Sequence, residues 1–222
     1  MDGLSVLLRW CLSITPILHT SRPTLRPLTL EDAPELQKAL DDPEIADFTL
    51  TIPHPLPPNF ALERIELDLE QERSAKPRYG WGLFLRESGR LVGRLGLSWD
   101  PTHKRGGLVY WTARDWRGQG LMTEALLEVV RYAFGPLGLY RLEASHFPRN
   151  PGSGRVLEKA GFVREGLLRA FVWKDQTPED MVQYAIIRPD WERVHAPSRF
   201  TSRATCIISP YESPHPCHPE SV

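Results

Sequence analysis

The segment Tyr110–Arg131, YWTARDWRGQGLMTEALLEVVR, decides the fold. From Leu121, the apolar residues Leu121, Met122, Ala125, Leu126, Val129, Val130, Ala133 and Phe134 recur at helical spacing. Glu124, Glu128 and Arg131 lie off that stripe. Tyr110, Trp111 and Thr112 are strand formers, so the unit reads as strand, turn and long amphipathic helix. Arg117-Gly118-Gln119-Gly120 opens the helix. Backbone N–H groups there lack intrahelical partners, and the macrodipole leaves about half a positive charge. Glycines let an anion such as a phosphate reach that backbone, and Arg117 offers a charge-assisted contact. A Gly-x-Gly turn before a helix also serves as an ordinary tight turn, so both readings stand on this stretch. It is not a P-loop, since no Gly-Lys-Ser/Thr follows. Nor is it a dinucleotide fingerprint, which needs a third glycine and a later acidic residue.

Working outward, Leu108–Ala113 is the strand entering the turn. Tyr79–Arg86 and Leu91–Ser98 are two more strands around the turn Glu87-Ser88-Gly89-Arg90, so three consecutive strands form an antiparallel meander. Trp99–Gly106 reads as a connection. Gly135-Pro136 stops the long helix, and Tyr140–Ser145 is a strand. A strand–helix–strand order implies parallel pairing through a right-handed crossover. Asn150-Pro151 opens a second helix, with Val156, Leu157 and Ala160 on its buried face and Gly161 as its left-handed cap. Phe162–Val172 and Met181–Ile187 are the last strands. Before the meander, Thr24–Leu28 is a strand. Thr29-Leu30-Glu31-Asp32 resembles a capping box for a helix through Leu40. Asp41–Pro58 is a proline-rich loop with one short helical turn, and Asn59–Arg73 is a helix with a solvated acidic face.

The chain has 222 residues, 41% hydrophobic and 25% charged, which suits one globular domain. A net charge of −1 argues against nucleic acid as a partner. Residues 1–22 read as a loosely ordered extension: Gly3–Leu18 is fairly apolar, but Asp2 precedes it, Arg9 interrupts it and no basic lead-in is present. The run is too short for a membrane span. Residues 23–193 form the domain, and 194–222 a Pro/Ser-rich disordered tail. Cys11, Cys206 and Cys217 lie outside the domain, so no disulfide framework is expected, which favours a cytoplasmic setting. His215, Cys217 and His218 have nothing to position them as metal ligands, and no metal is expected.

Two motifs now carry a resemblance. Residues 114–122, RDWRGQGLM, resemble the pyrophosphate loop of the GNAT N-acetyltransferases, usually Gln/Arg-x-x-Gly-x-Gly/Ala. Residues 150–166, NPGSGRVLEKAGFVREG, resemble the second motif of the branch that includes acetyltransferases of ribosomal-protein N-termini (alanine or serine). The element order agrees over about residues 23–193. The resemblance implies an α/β (α+β) fold with a mixed, mostly antiparallel sheet of about six to seven strands flanked by helices. It implies acetyl-CoA as co-substrate, with transfer to a primary amine (a protein N-terminus or a small molecule) by direct attack in a ternary complex. The pantetheine arm would pair with the backbone of Trp111-Thr112-Ala113. The pyrophosphate would sit on the N–H groups of Arg117, Gly118, Gln119, Gly120, Leu121 and Met122. Asn150 would contact or wall the pantetheine, and Ser153 would stand near the thioester sulfur as the candidate proton donor. By their residues alone, Asn150 is equally a helix cap and Ser153 an ordinary first-turn serine. Tyr110, Trp111 and Trp116 read as packing residues.

The chain departs from the family at three places. Asp115 stands where the loop usually begins with Gln or Arg. Leu157 stands where many relatives have a tyrosine acid. Gly107 replaces the glutamate that this branch often carries three residues before the tyrosine of Tyr110-Trp111. Asp100 and His103 are the nearest alternatives for a base, and both also read as surface residues. Without a base, a non-catalytic acyl-CoA sensor or scaffold is the alternative function. The family is compatible with a homodimer, though no residue pattern specifies one.

Overall fold

A computed structural model describes residues 15–72 and 77–195. Its centre is an eight-stranded sheet, β1 (Leu18–His19), β2 (Pro23–Pro27), β3 (Arg78–Leu85), β4 (Leu91–Asp100), β5 (Arg105–Thr112), β6 (Arg141–His146), β7 (Val163–Lys174) and β8 (Thr177–Ile187). The strand order is β1-β2-β3-β4-β5-β6-β8-β7. Every pairing is antiparallel except β5–β6, which the crossover helix forces to be parallel. The sheet is mixed and mostly antiparallel, as expected, with a strand more than the six to seven predicted.

Helices cover both faces. On one lie α4 (Leu121–Phe134) and α5 (Pro151–Lys159); all eight apolar residues of the predicted α4 stripe are buried. They pack on Leu95, Leu97, Leu108 and Leu142. On the other lie α1 (Ala33–Leu40), α2 (Pro43–Asp47) and α3 (Phe60–Gln71), packed through Leu36, Leu40, Ile45, Ala61 and Ile65, with Trp111 from β5 against them. A last helix, α6 (Arg188–His195), follows β8.

Several boundaries differ from the sequence reading; among the strands, β4 runs on to Asp100 and β8 starts at Thr177 rather than Met181. Leu18 and His19 pair with Leu25 and Thr24, so the sheet begins inside the segment expected to be a loose extension. The same segment is fastened to α4, since Glu124 accepts from the Ser21 hydroxyl and from the Arg22 N–H and guanidinium. At the other end α6 runs through Val194 to His195. And β5 starts at Arg105, absorbing the glycines read as a connection. A Cβ on Gly106 would stand 2.9–3.1 Å from Leu97, Leu142 and Leu139, so glycine there permits the close approach of neighbouring side chains. The three cysteines and the His215–His218 cluster lie outside the described residues.

Candidate active site

The site begins with a gap in the sheet. β5 pairs with β6 only at Arg105–Arg141, Gly106–Leu142 and Gly107–Glu143, then the strands part. Across β4–β5 the Ala113 N–H donates to Val92 O. Antiparallel alternation then turns the backbone groups of Tyr110 and Thr112 away from β4, into the gap. Of the expected strand contacts, Thr112 therefore presents its N–H to the opening, while Ala113 is committed to the ladder.

The gap leads to the start of α4. The first ladder bond of that helix is Glu124 N–H to Gly120 O, so the N–H groups of Gly120, Leu121, Met122 and Thr123 have no intrahelical acceptor. Gly118 and Gly120 have φ of +73° and +80°, the left-handed region that glycine adopts without penalty. A Cβ on Gly118 would meet nothing within 4 Å. The loop thus presents donors over open space, which fits a diphosphate. A cavity of about 480 Å³ joins this end to the gap; Trp111, Thr112, Arg117, Gly118, Gly120, Leu121, Met122, Asn150 and Ser153 line it, and Ala113 and Gln119 do not. Arg155 and Lys159 of α5 add positive charge to its wall.

Arg117 does a different task from the one expected. Its Nε donates to Thr112 O at 3.0 Å, Nη2 to Asp42 at 2.7 Å and Nη1 to Glu44 at 2.5 Å. Its own N–H closes a turn on Arg114 O. The side chain is occupied in tying the loop to α2, where Arg114 also meets Asp42 at 2.7 Å. Burial acts to raise the Asp42 carboxyl, but the hydrogen bonds of Arg114 and the Glu44 N–H and the charges of Arg117 and Arg114 hold it below the usual range. Gln119 likewise turns outward: its side chain donates to Asp115 O and its carbonyl accepts from Arg22.

At the head of α5, the Asn150 side chain accepts from the Ser153 N–H at 3.2 Å, so its cap role is realised while it also lines the cavity. Ser153 Oγ lies 2.9 Å from the Tyr110 hydroxyl, which also reaches the Ser153 carbonyl at 3.2 Å. Burial pushes the Tyr110 phenol above its ordinary value, against the opposing Ser153 hydrogen bond. Tyr110 keeps its proton and can support Ser153 as a donor. Strand propensity alone gave Tyr110 no role, because only the tertiary fold brings α5 over β5. Beneath the same turn, His146 is buried with Nδ1 on Phe147 O and Nε2 without a hydrogen-bond partner among the described residues.

Asp100 and His103 are not brought to the site. Asp100 accepts from the Thr102 and His103 N–H groups in the β4–β5 hairpin, and its register partner is Arg105, at the far end of β5 from Tyr110.

The arrangement suits a substrate that is anionic at one end, linear along the gap and reactive at the other. Known proteins place the chain further. Residues 22–163 match the Acetyltransferase (GNAT) domain family, and the chain belongs to it. It is 30% identical over 185 residues to the uncharacterized N-acetyltransferase YoaA of Bacillus subtilis, covering 78% of this chain and 98% of that one. It is 36% identical over 84 residues to the [Ribosomal protein uS5]-alanine N-acetyltransferase of Escherichia coli, covering 38% and 43%. Its fold resembles that of Mycobacterium smegmatis RimJ in complex with CoA-disulfide, with a TM-score of 0.69, 21% identity and coverage of 80% and 90%. The chain is a GNAT N-acetyltransferase. No described helix is long and apolar enough to cross a membrane.

Proposed function

We propose that the chain transfers the acetyl group of acetyl-CoA to the N-terminal amine of a protein, with the ternary complex formed in the β5–β6 gap. The observation that carries this is the continuity of that gap with the N–H groups of Gly120–Thr123, which have no intrahelical acceptor. The similarity to the uS5-alanine enzyme supports the acceptor class. The diphosphate lies on the N–H groups of Gly118–Thr123, and Thr112 and Tyr110 hold the pantetheine through their backbone. Asn150 keeps α5 in register over the gap. An N–H of this strand stabilises the tetrahedral oxyanion. Ser153, backed by Tyr110, supplies the proton or hydrogen bond that the leaving sulfur needs. The reading needs no metal. A cytoplasmic setting accompanies it, and a small-molecule amine is the competing acceptor.

The test is thermal unfolding with and without acetyl-CoA, followed by transfer to peptides beginning in alanine or serine and to a panel of small amines. A ligand at 100 times its dissociation constant stabilises by about 2.7 kcal/mol. Gly120→Glu and, as a variant outside the left-handed turn, Lys159→Glu should lose that shift. An unshifted wild type at millimolar acetyl-CoA would overturn the reading.

A further inference from the structure

The reaction needs a group to remove a proton from the incoming ammonium, and the expected positions do not supply one. Asp42 is buried under Arg114 and Arg117; Glu44, Asp47 and Glu179 each meet an arginine through one oxygen, as Glu143 does, but lie on α2 or at the start of β8 rather than where β5 and β6 part; and Asp100 closes the distant hairpin. The gap itself points elsewhere. Its vertex is the last β5–β6 pair, Gly107 with Glu143. Along β6, Leu142, Ala144 and His146 are buried on the α4–α5 face, so Glu143 projects from the opposite face. There Gly107 contributes no side chain, and a Cβ placed on it would meet only Ser98 Oγ, at 3.6 Å. Glu143 therefore stands beside a notch at the closed end of the gap, with its side chain one-third exposed.

We infer that Glu143 is the proton acceptor for the amine, reached from this face through the notch over Gly107. The inference rests on the transferase reading above. The ammonium gives one proton to the Glu143 carboxylate, directly or through one water, and Glu143 passes it to solvent. The neutral amine nitrogen then bonds to the thioester carbon, and the C–S bond breaks as the carbonyl re-forms. The second amine proton leaves the nitrogen as the amide forms and replaces the one that Ser153 gives to the thiolate, so CoA departs as the free thiol. Glycine at 107 leaves the amine its path, and the carboxylate comes from the adjacent strand instead. The charged groups on this face are Arg141, 3.3 Å from Glu143 through Nε, Arg105 beside it on β5, Glu165 of β7, which Arg141 grips through both terminal nitrogens, Asp100 and Arg94 of β4, and Arg78 of β3, in register with Ser98 and so in the row of Gly107. Arg141 is thereby oriented by Glu165 and touches only one Glu143 oxygen.

The experiment has a binding arm and a kinetic arm. In protein labelled with 13C at glutamate carboxyls, Glu143→Gln assigns the Glu143 signal, and CoA is then added to wild type. The Glu143 signal should move; no movement at saturating CoA overturns the placement. In the kinetic arm, Glu143→Gln should lower kcat/KM for an alanine-initiated peptide by about 10²-fold or more, with the acetyl-CoA thermal shift kept and the acid limb of the pH profile lost. Glu143→Asp should keep the limb and part of the activity, which a merely structural role for Glu143 would not allow. Full activity in Glu143→Gln, or a folded, acetyl-CoA-binding Glu143→Asp no more active than Glu143→Gln, overturns the role. If wild type acetylates no amine, the transferase reading fails instead, and the carboxyl signal still decides where Glu143 stands.

Discussion

The Tyr110 hydroxyl lies 2.9 Å from Ser153 Oγ and 3.2 Å from the Ser153 carbonyl oxygen, joining the middle of β5 to the first turn of α5. Because burial keeps the phenol protonated, Tyr110 can donate to Ser153 while the serine hydroxyl points its own proton at the leaving sulfur. Ser153→Ala should reduce kcat by 10- to 100-fold, on the order of a modest acid-catalysis term. Tyr110→Phe should cost about one hydrogen bond, ~1 kcal/mol or about fivefold. Steady-state kinetics at saturating acetyl-CoA would check both; unchanged kcat in Ser153→Ala rules out its donor role.

Asp42 couples α2 to the loop before α4. Its carboxylate is 8% exposed, caps α2 through the Glu44 N–H, and receives Arg114 and Arg117. Asp42→Ala should lower stability by about 2 kcal/mol, a cap plus a charged hydrogen bond. It should also raise the KM for acetyl-CoA, because Arg117 no longer anchors the loop. Urea midpoints and initial rates measure the two effects, and an unchanged KM would separate the loop from α2.

Glu124 ties residues 20–22 to α4. Burial acts to raise its carboxyl, but the Ser21 hydroxyl, the Arg22 N–H, the Thr20 hydroxyl and the Arg22 guanidinium bring it down from 4.5 to about 2. A depressed carboxyl stabilises the fold above its unfolded value and loses that contribution as pH falls through its folded value. The wild type should therefore outlast Glu124→Gln at pH 6 by about 1 kcal/mol, discounted for exposure. The two melting curves should converge between pH 4.5 and 2. Parallel curves across that range would count against the clamp.

Gly154 is required by a neighbour rather than by its backbone. A Cβ there would stand 2.9 Å from His146 Nε2 and 3.4 Å from the Tyr184 hydroxyl. Both rings are buried, so neither yields freely. Gly154→Ala should cost about 1–3 kcal/mol as overpacking and lift the first turn of α5, lowering kcat with it. Wild-type stability and rate in this variant would show that the turn adjusts at no cost.

Much of this was legible in the chain. The α4 stripe from Leu121 to Phe134 follows from periodicity alone, because a helix with one apolar face has only one way to bury it. The tight turn at Gly118 and Gly120 is legible for the same local reason, since both adopt the left-handed region that glycine permits. What escaped was set by distant partners. Two residues, Leu18 and His19, carry no strand signal and are ordered by β2. Asp42-Pro43 is a good cap and first-turn pair, yet α2 is five residues long, too short for periodicity to register. The guanidinium of Arg117 was assigned to a ligand because sequence cannot show that Asp42 and Glu44, more than seventy positions away, fold back onto it. Glu143 was invisible until the parallel register set it beside Gly107.

The short β5–β6 pairing has a mechanical meaning. Five strands lie on one side of it and three on the other, and the ladder joining them spans Arg105–Gly107 against Arg141–Glu143. The molecule is a clip with its spring at Gly107–Glu143, and a molecule lying along Tyr110–Thr112 acts as the missing rung that braces both jaws. Amide exchange at Tyr110 and Thr112 should slow in proportion to occupancy, and the clip should relax each time a product leaves.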